Sequence, residues 1–115
     1  MTGAQTKPMH DLATPAAPSR TMAEVRAGID RLDREIVALL AERGGYVRRA
    51  AHIKGRRADI VDPERIEDVI AKVRGRAQNL GLAPELVEAV YRLMIQRFIE
   101  LETAEFERLN DALES

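Results

Sequence analysis

"MAEVRAGIDRLDREIVALLAERGGYVRRAAHIK", residues 22–54, is a stretch whose apolar residues recur every three or four positions. That spacing places them along one side of an α-helix, as in a helix that packs lengthwise against other helices. Thr21, just before the stretch, and Glu24 form a capping-box signature, which predicts where the helix begins. The apolar stripe consists of Met22, Val25, Ile29, Leu32, Ile36, Leu39, Val47, Ala50 and Ile53.

Gly44 and Gly45 lie within this stretch, and each costs roughly 1 kcal/mol of helix stability relative to Ala, so a break there is one alternative. The apolar spacing is unchanged across the pair, and we predict one helix from residue 22 to residue 54. Such a helix would be about 50 Å long at ~1.5 Å per residue, whereas a compact domain of this size has a radius of gyration of only about 13 Å. The chain's own helices cannot cover so long a stripe, and the sequence therefore predicts an intertwined helical homodimer.

Two further helices are predicted by their start and stop signals. Asp62 and Pro63 are a typical N-cap and first helical residue, and Gly81 is typical of a position just past a helix end. Pro84 opens a third helix, which we expect to run to about Leu109. No strand pattern or internal repeat is present in the helical region. The predicted fold is all-α, with three helices per chain in the order long, short, long.

The composition of the 115 residues limits the partners and sites that the chain can have. Lys and Arg number 18 against 19 Asp and Glu, for a net charge of -1, so we expect no nucleic acid and no membrane surface as a partner. With no Cys and only two His, we expect no disulfide and no metal site. No apolar run reaches the ~20 residues of a membrane span, and the start lacks a secretory signal. We expect a cytoplasmic protein with a disordered tail at 1–20 and one helical domain at 21–115.

Charged residues occupy three positions of the helical stripes that should be apolar. Arg43 and Lys54 are eleven positions apart, so at about 100° per residue their side chains differ by only ~20° in direction. Both cations are therefore expected to face the bundle interior. In the last helix Glu102 follows Ile95 and Phe98 at helical spacing, so a carboxylate takes an apolar position there.

Each charge also has an ordinary structural explanation. Arg43 could extend to the bundle surface, Lys54 could interact with the helix dipole, and Glu102 could form an ion pair with either cation. Two cations sharing one acid, however, leave a positive charge that an anionic ligand would neutralise. Arg65 is a third candidate cation, or else a solvated surface residue. Arg26 is roughly 25 Å from Arg43 along the helix, so it could join this site only from the second chain of an antiparallel dimer.

Four segments, in order, resemble the all-helical chorismate mutases and their close relatives, the isochorismate pyruvate lyases. The resemblance covers Val25 to Phe106. It implies three helices per chain, interlocked in a dimer with two identical sites and without a cofactor. The segments are VRAGIDRLDREIVALLAER (25–43), YVRRAAHIK (46–54), VDPER (61–65) and VYRLMIQRFIELE (90–102).

The resemblance also implies a role for each candidate residue. Lys54 and Glu102 would lie at the ether oxygen of chorismate, Arg43 would help to bind its two carboxylates, and Asp62 suits its hydroxyl. Arg26 would come from the other chain. Catalysis would select the compact diaxial conformer and stabilise charge on the ether oxygen, with no covalent intermediate. The implied catalytic residues are Arg43, Lys54 and Glu102, and the implied substrate-binding residues are Arg26, Arg43, Lys54, Asp62, Arg65 and Glu102.

Two positions depart from the family's pattern. Glu102 stands where many members have Gln, and a Glu can donate to the ether oxygen only when it is protonated. We therefore expect either activity that falls as the pH rises or a site that keeps this acid neutral at pH 7. Ile66 stands where many mutases have a Glu that holds the substrate hydroxyl, which resembles the lyase branch.

The sequence thus predicts a dimeric chorismate mutase that forms prephenate. Two alternatives use the same scaffold: an isochorismate pyruvate lyase, which forms salicylate and pyruvate, and a mutase of 4-amino-4-deoxychorismate. A helical adaptor or scaffold without chemistry is the alternative of another class, and in it the candidate cations would be dispensable. The enzyme hypothesis predicts large activity losses with near-normal folding for Arg43→Ala and Lys54→Ala.

Overall fold

The computed structural model describes residue 18 and residues 20–114, and within this part the chain forms three α-helices and one short 3-10 helix. The same part contains no β-strand, and the predicted all-α class is confirmed. The predicted tail at 1–20 falls almost wholly on positions outside the described residues, so it stays a prediction, as does the domain range 21–115. The elements are α1 (Met22–Ile53), the 3-10 helix (Arg57–Asp59), α2 (Pro63–Asn79) and α3 (Pro84–Glu114).

The helix boundaries follow the capping signals of the sequence. Thr21 Oγ1 accepts the backbone N–H of Glu24 at 3.1 Å, and Glu24 Oε1 accepts the backbone N–H of Thr21 at 3.1 Å. The Asp62 carboxylate accepts a backbone N–H at the start of α2. Gly81, just after α2, has a φ of 76°, a conformation that glycine adopts without steric cost. α3 continues past its predicted end near Leu109, because no Gly or Pro interrupts the segment that follows.

α1 is continuous through Gly44 and Gly45, which confirms the single-helix prediction. Gly44 is buried, and a Cβ atom at this position would lie 3.3 Å from Phe98 Cε1 and 3.6 Å from Leu101 Cδ2. Gly44 therefore marks the place where α1 and α3 approach closely. A Cβ atom at Gly45 would meet nothing within 4 Å, so the same reason does not apply to it.

α3 packs against both α1 and α2, and the three helices of the chain together form an elongated domain. Its radius of gyration is 18.8 Å and its principal extents are 62 × 30 × 27 Å, well beyond the ~13 Å radius of a compact domain of this size. A small core of Ala51, Ile60 and Phe106 lies at the end of α1. None of the helices in the described part is long and apolar enough to cross a membrane.

Much of the apolar stripe of α1 is not covered by the rest of the chain. Leu39 is 64% exposed and Ile36 is 52% exposed, although both belong to the stripe that the sequence predicts to be buried. Large exposed apolar surfaces of this kind mark interaction sites. Within the described chain, no other helix covers these apolar side chains of α1. The exposed members of the stripe are Met22, Val25, Ile29, Leu32, Ile36, Leu39 and Ile53.

Glu105 of α3 links its helix to α1 through charged side-chain contacts. Its carboxylate accepts two bonds from Arg108, at 2.8 and 2.9 Å, and lies 2.8 Å from Nε2 of His52 on α1. The bonds from Arg108, and after them the contact with His52, lower the pKa of Glu105 from 4.5 to about 2. The ionised form is therefore better stabilised in the folded chain than in the unfolded chain.

We expect Glu105→Gln to lower the free energy of unfolding at pH 7, with a loss that disappears in acid. Because the folded-state pKa lies below the unfolded value, the contribution of Glu105 is complete above pH 4.5 and is lost as the pH falls toward about 2. Chemical denaturation of both proteins between pH 2 and pH 7 measures this. Glu42→Gln is the control, since Glu42 is exposed and has no ion pair among the described residues. A stability difference for Glu105→Gln that stays constant across this range would contradict the prediction.

Candidate active site

A cavity of about 450 Å³ lies between the three helices, and residues far apart in the sequence line it. Its wall combines side chains of α1, of the loop before α2, of α2 and of α3. The chain thus brings together five of the six residues predicted to bind substrate. These five are Arg43, Lys54, Asp62, Arg65 and Glu102.

Lys54 and Glu102 form the buried ion pair of the cavity. The Lys54 ammonium lies 2.8 Å from Glu102 Oε2, and the Glu102 side chain is only 8% exposed. Oε2 is buried and accepts no well-aligned hydrogen bond from the described residues, so the contact is mainly one of charge attraction. Lys54 also donates to the backbone oxygen of Ile60 at 3.4 Å. Of the two ion pairs that the sequence allows for Glu102, the one with Lys54 forms.

Arg43 contacts an aromatic ring instead of an acid. Its guanidinium carbon lies 4.7 Å from the centroid of the Phe98 ring, which is the geometry of a cation–π contact. The side chain is half-buried, and it has no carboxylate partner in the part of the chain that the structure describes. Arg43 is therefore a cation in the cavity wall whose charge no described residue neutralises.

The start of α2 brings Asp62 and Arg65 to the cavity. Asp62 Oδ1 accepts the backbone N–H of Arg65 at 3.1 Å, so one of its two oxygens caps the helix. The Arg65 guanidinium donates to Asp68 at 3.0 Å, and its side chain is 63% exposed. Arg65 thus lies at the exposed edge of the cavity, where it is at once a solvated surface residue and a wall residue.

Arg26 is the predicted site residue that this chain does not bring to the cavity. It is exposed on α1, seventeen residues before Arg43 and roughly 25 Å from it along the helix axis at ~1.5 Å per residue. Like Arg43, it has no ion pair with a described residue. Within one chain the six residues therefore cannot form a single site.

The apolar part of the wall includes residues that the sequence did not single out as site residues. The Phe98 ring contacts the Arg43 guanidinium. Ile60 contributes a buried side chain, and its backbone carbonyl accepts a hydrogen bond from Lys54. Phe98 and Glu102 are four residues apart, a spacing that places them on one helix face. The sequence therefore already indicated that Phe98 faces the same side as the candidate residue Glu102. The position of Ile60 depends on the conformation of the loop, which periodicity does not predict. Other such wall residues are Tyr46, Val47, Ala50, Val69 and Ile95, and Ile66, which the sequence comparison with the family had marked, also lines the cavity.

Among the charges around the cavity, the Arg43 guanidinium is the one that suits a ligand carboxylate. Three cations and two carboxylates line it, and one carboxylate is already engaged by Lys54 while Arg65 contacts Asp68 outside. Arg43 keeps a full positive charge and in-plane N–H donors that suit a carboxylate. The apolar walls lower the local dielectric and strengthen such contacts. The cavity therefore offers a small carboxylate ligand the Arg43 guanidinium, with the Lys54 ammonium in the same wall.

Comparison with known proteins gives similarities over the same helices. The family model of chorismate mutase type II matches residues 25–103, a range that contains all six predicted site residues. An isochorismate pyruvate lyase of Pseudomonas aeruginosa is 33% identical over 78 residues, which cover 68% of this chain and 77% of that protein.

Proposed function

The chain belongs to the type II chorismate mutase family, and from this premise we propose that it is a chorismate mutase that rearranges chorismate to prephenate. One observation carries the proposal: Arg43 and Lys54 line one cavity, yet among the described residues only Lys54 finds a carboxylate partner. A substrate carboxylate is the group that would complete the neutralisation of Arg43. The cavity, at about 450 Å³, is within the ordinary size range of small-ligand sites.

In the proposed reaction the side chains orient the substrate and stabilise charge. The ether C–O bond of chorismate breaks while a C–C bond forms at the ring, and no proton needs to move. Arg43 holds a carboxylate, which helps to keep the side chain of the substrate folded over its ring. Lys54 directs its ammonium at the ether oxygen, where negative charge develops as the bond breaks. Glu102 orients Lys54 through their ion pair.

Glu102 takes part in the proposed reaction as a charged acceptor. In the ion pair with Lys54 it is a carboxylate, which has no proton to donate to the ether oxygen. Lys54 is therefore the donor to that oxygen, and Glu102 holds its ammonium in place.

We also propose that two chains form an intertwined homodimer in which Arg26 enters the partner's cavity. The exposed stripe of α1 supports this, because a second copy of α1 has the same apolar face to offer. Arg26 lies on the same uncovered half of α1 and has no ion pair within the described chain. An isologous dimer would bring it near the second chain's Arg43 and Lys54.

A mixed dimer of two inactive variants tests the shared site. We expect Arg26→Ala and Arg43→Ala each to be poorly active, because every site of either homodimer lacks one cation. In a mixed dimer one site has both substitutions and the other has neither. The purified mixed dimer, obtained with two affinity tags, should therefore recover about half of the parental activity per dimer. Absence of recovery in a stable mixed dimer would show that Arg26 and Arg43 act in the same chain.

A second candidate function is cleavage of isochorismate to salicylate and pyruvate. The specific observation in its favour is the relative from Pseudomonas aeruginosa, which is named for that reaction. Ile66 in the cavity wall also fits it, since an apolar residue there cannot accept a hydrogen bond from a substrate hydroxyl. The same cations would bind both substrates, which differ in the position of one hydroxyl.

Product identification distinguishes these functions. The purified protein is incubated separately with chorismate, isochorismate and 4-amino-4-deoxychorismate, and the products are separated by chromatography. Prephenate from chorismate at the highest kcat/KM supports the proposal. Salicylate from isochorismate at a higher kcat/KM assigns the lyase function instead, and no conversion of any of the three contradicts both.

A further inference from the structure

Phe98 lies between the backbone of α1 and the guanidinium of Arg43. One edge of its ring faces Gly44, where an added Cβ atom would come within 3.3 Å of Cε1. Its face carries Arg43, with 4.7 Å between the guanidinium carbon and the ring centroid. Building on the proposed function, we propose that Phe98 is a positioning residue, which holds the Arg43 guanidinium in the cavity so that it can bind a substrate carboxylate.

The chemical nature of its partner determines whether Arg43 can still bind a ligand carboxylate. A carboxylate partner would neutralise the guanidinium and occupy some of its N–H donors, as Glu67 and Glu88 do for Arg92. An aromatic face attracts the cation but carries no opposite charge that would neutralise it. Phe98 therefore fixes the orientation of Arg43 while leaving its charge and its donors for a ligand.

Successive turns of α3 contact two cations, Arg43 in α1 and Lys54 just after it, in different ways. Phe98 and Glu102 are four residues apart and line the same cavity, so their side chains lie one turn apart on one face of α3. Phe98 contacts Arg43 through its ring, and Glu102 contacts Lys54 through its carboxylate. This face therefore neutralises one cation and leaves the other charged, which creates a site for one ligand carboxylate beside an ammonium.

Gly44 is the structural condition for this arrangement. Phe98 is half-buried, and the edge of its ring lies where a Cβ atom on Gly44 would come within 3.3 Å. A ring seated against backbone has little freedom to rotate away from Arg43. Gly44 lowers the stability of α1, and it also leaves room for the Phe98 ring.

The contact has a spectroscopic signature that does not depend on any reaction. A proton above an aromatic ring resonates upfield, so the Nε–H of Arg43 should be upfield of the other arginine Nε–H signals. The signal is assigned by its loss in Arg43→Lys. In Phe98→Leu and Phe98→Met, which lack a ring, it should move to the ordinary range, while Phe98→Tyr, which keeps the ring, should preserve the shift.

The kinetic test uses the same variants with chorismate. Since Arg43 would bind a carboxylate in both the ground state and the transition state, loss of its support should raise KM about tenfold and change kcat little. Phe98→Tyr should restore KM to within about twofold of the parent. The control is Phe106→Leu, because Phe106 is a buried aromatic residue of α3 that does not line the cavity between the helices. This variant should lower the melting temperature without raising KM.

The outcomes separate this inference from the proposed function. Equal KM values for Phe98→Leu, Phe98→Tyr and the parent, or an Arg43 signal that Phe98→Leu leaves in place, would overturn the positioning role. If the parent turns over none of the three substrates, the proposed function fails, and chorismate is then titrated against the Arg43 signal. Weaker binding to Phe98→Leu than to Phe98→Tyr supports the positioning role in that case, and equal or absent binding overturns it.

Discussion

Lys54→Ala is expected to lower kcat for chorismate by about 10²–10³-fold, the loss that follows removal of one donor to a developing oxyanion. The reason is the position of the ammonium in the cavity, 2.8 Å from Glu102 and 3.4 Å from the Ile60 carbonyl, which together fix its direction. An ammonium held in place stabilises charge on the ether oxygen without reorganisation during the reaction. Steady-state rates of prephenate formation measure the loss.

Folding of this variant needs its own control. The sequence alone predicts near-normal folding for Lys54→Ala, but the structure pairs Lys54 with a carboxylate that is only 8% exposed. Removing the cation leaves Glu102 buried without an opposite charge, which we expect to cost about 1–3 kcal/mol of stability. The double variant Lys54→Ala, Glu102→Gln removes that buried charge. It should regain most of the stability and remain as inactive as the single variant. Recovery of activity in the double variant would show that Lys54 acts only by balancing Glu102.

Arg43→Ala is expected to lower kcat/KM for chorismate by about 10²-fold, mainly through KM, because a charge-assisted contact to a substrate carboxylate is lost. Its effect on stability should be small. Within the described chain, Arg43 has no acid that would be left unpaired, and the contact with Phe98 is the one specific interaction it makes. Substrate saturation curves and thermal unfolding of the same preparation measure both quantities.

Arg97→Ala is the matched control for this prediction. Arg97 is on α3 outside the cavity, and its side chain is 68% exposed in a surface ion pair with Glu100. Such pairs contribute little, typically about 0–1 kcal/mol, so the variant should retain parental activity and stability. An adaptor without chemistry predicts that the two arginine variants behave alike. Equal kcat/KM values for Arg43→Ala and Arg97→Ala would therefore contradict the role of Arg43.

The order of the helices and most of their ends, though not the end of α3, could be predicted because their signals are local. Thr21 and Asp62 cap helices through their own side chains, and Gly81 ends one through a conformation that glycine adopts easily. The direction of Arg43 and Lys54 also follows from helix geometry alone, since the two positions lie on one face. These features need no knowledge of how the helices meet.

The features that could not be predicted depend on contacts between distant segments. Periodicity predicts that Glu102 is inward-facing but not which cation it meets, because the relative slide of α1 and α3 decides this. The burial of Gly44 against Phe98 has the same origin. The loop before α2 places the Ile60 carbonyl, and loop conformation has no periodic signal. The sequence shows that the exposed face of α1 is apolar, but the position of a partner on that face depends on how two chains assemble.

A crystal structure of the protein with a bicyclic dicarboxylate that mimics the compact transition state is the most direct test of the cavity as an active site. Such a compound should bind more tightly than the substrate if the site is complementary to the transition state. We predict that it occupies the cavity with one carboxylate on Arg43 and its ether oxygen within hydrogen-bond distance of Lys54 Nζ. A cavity that stays without the compound at saturating concentration, with Arg43 and Lys54 unchanged, would contradict the account.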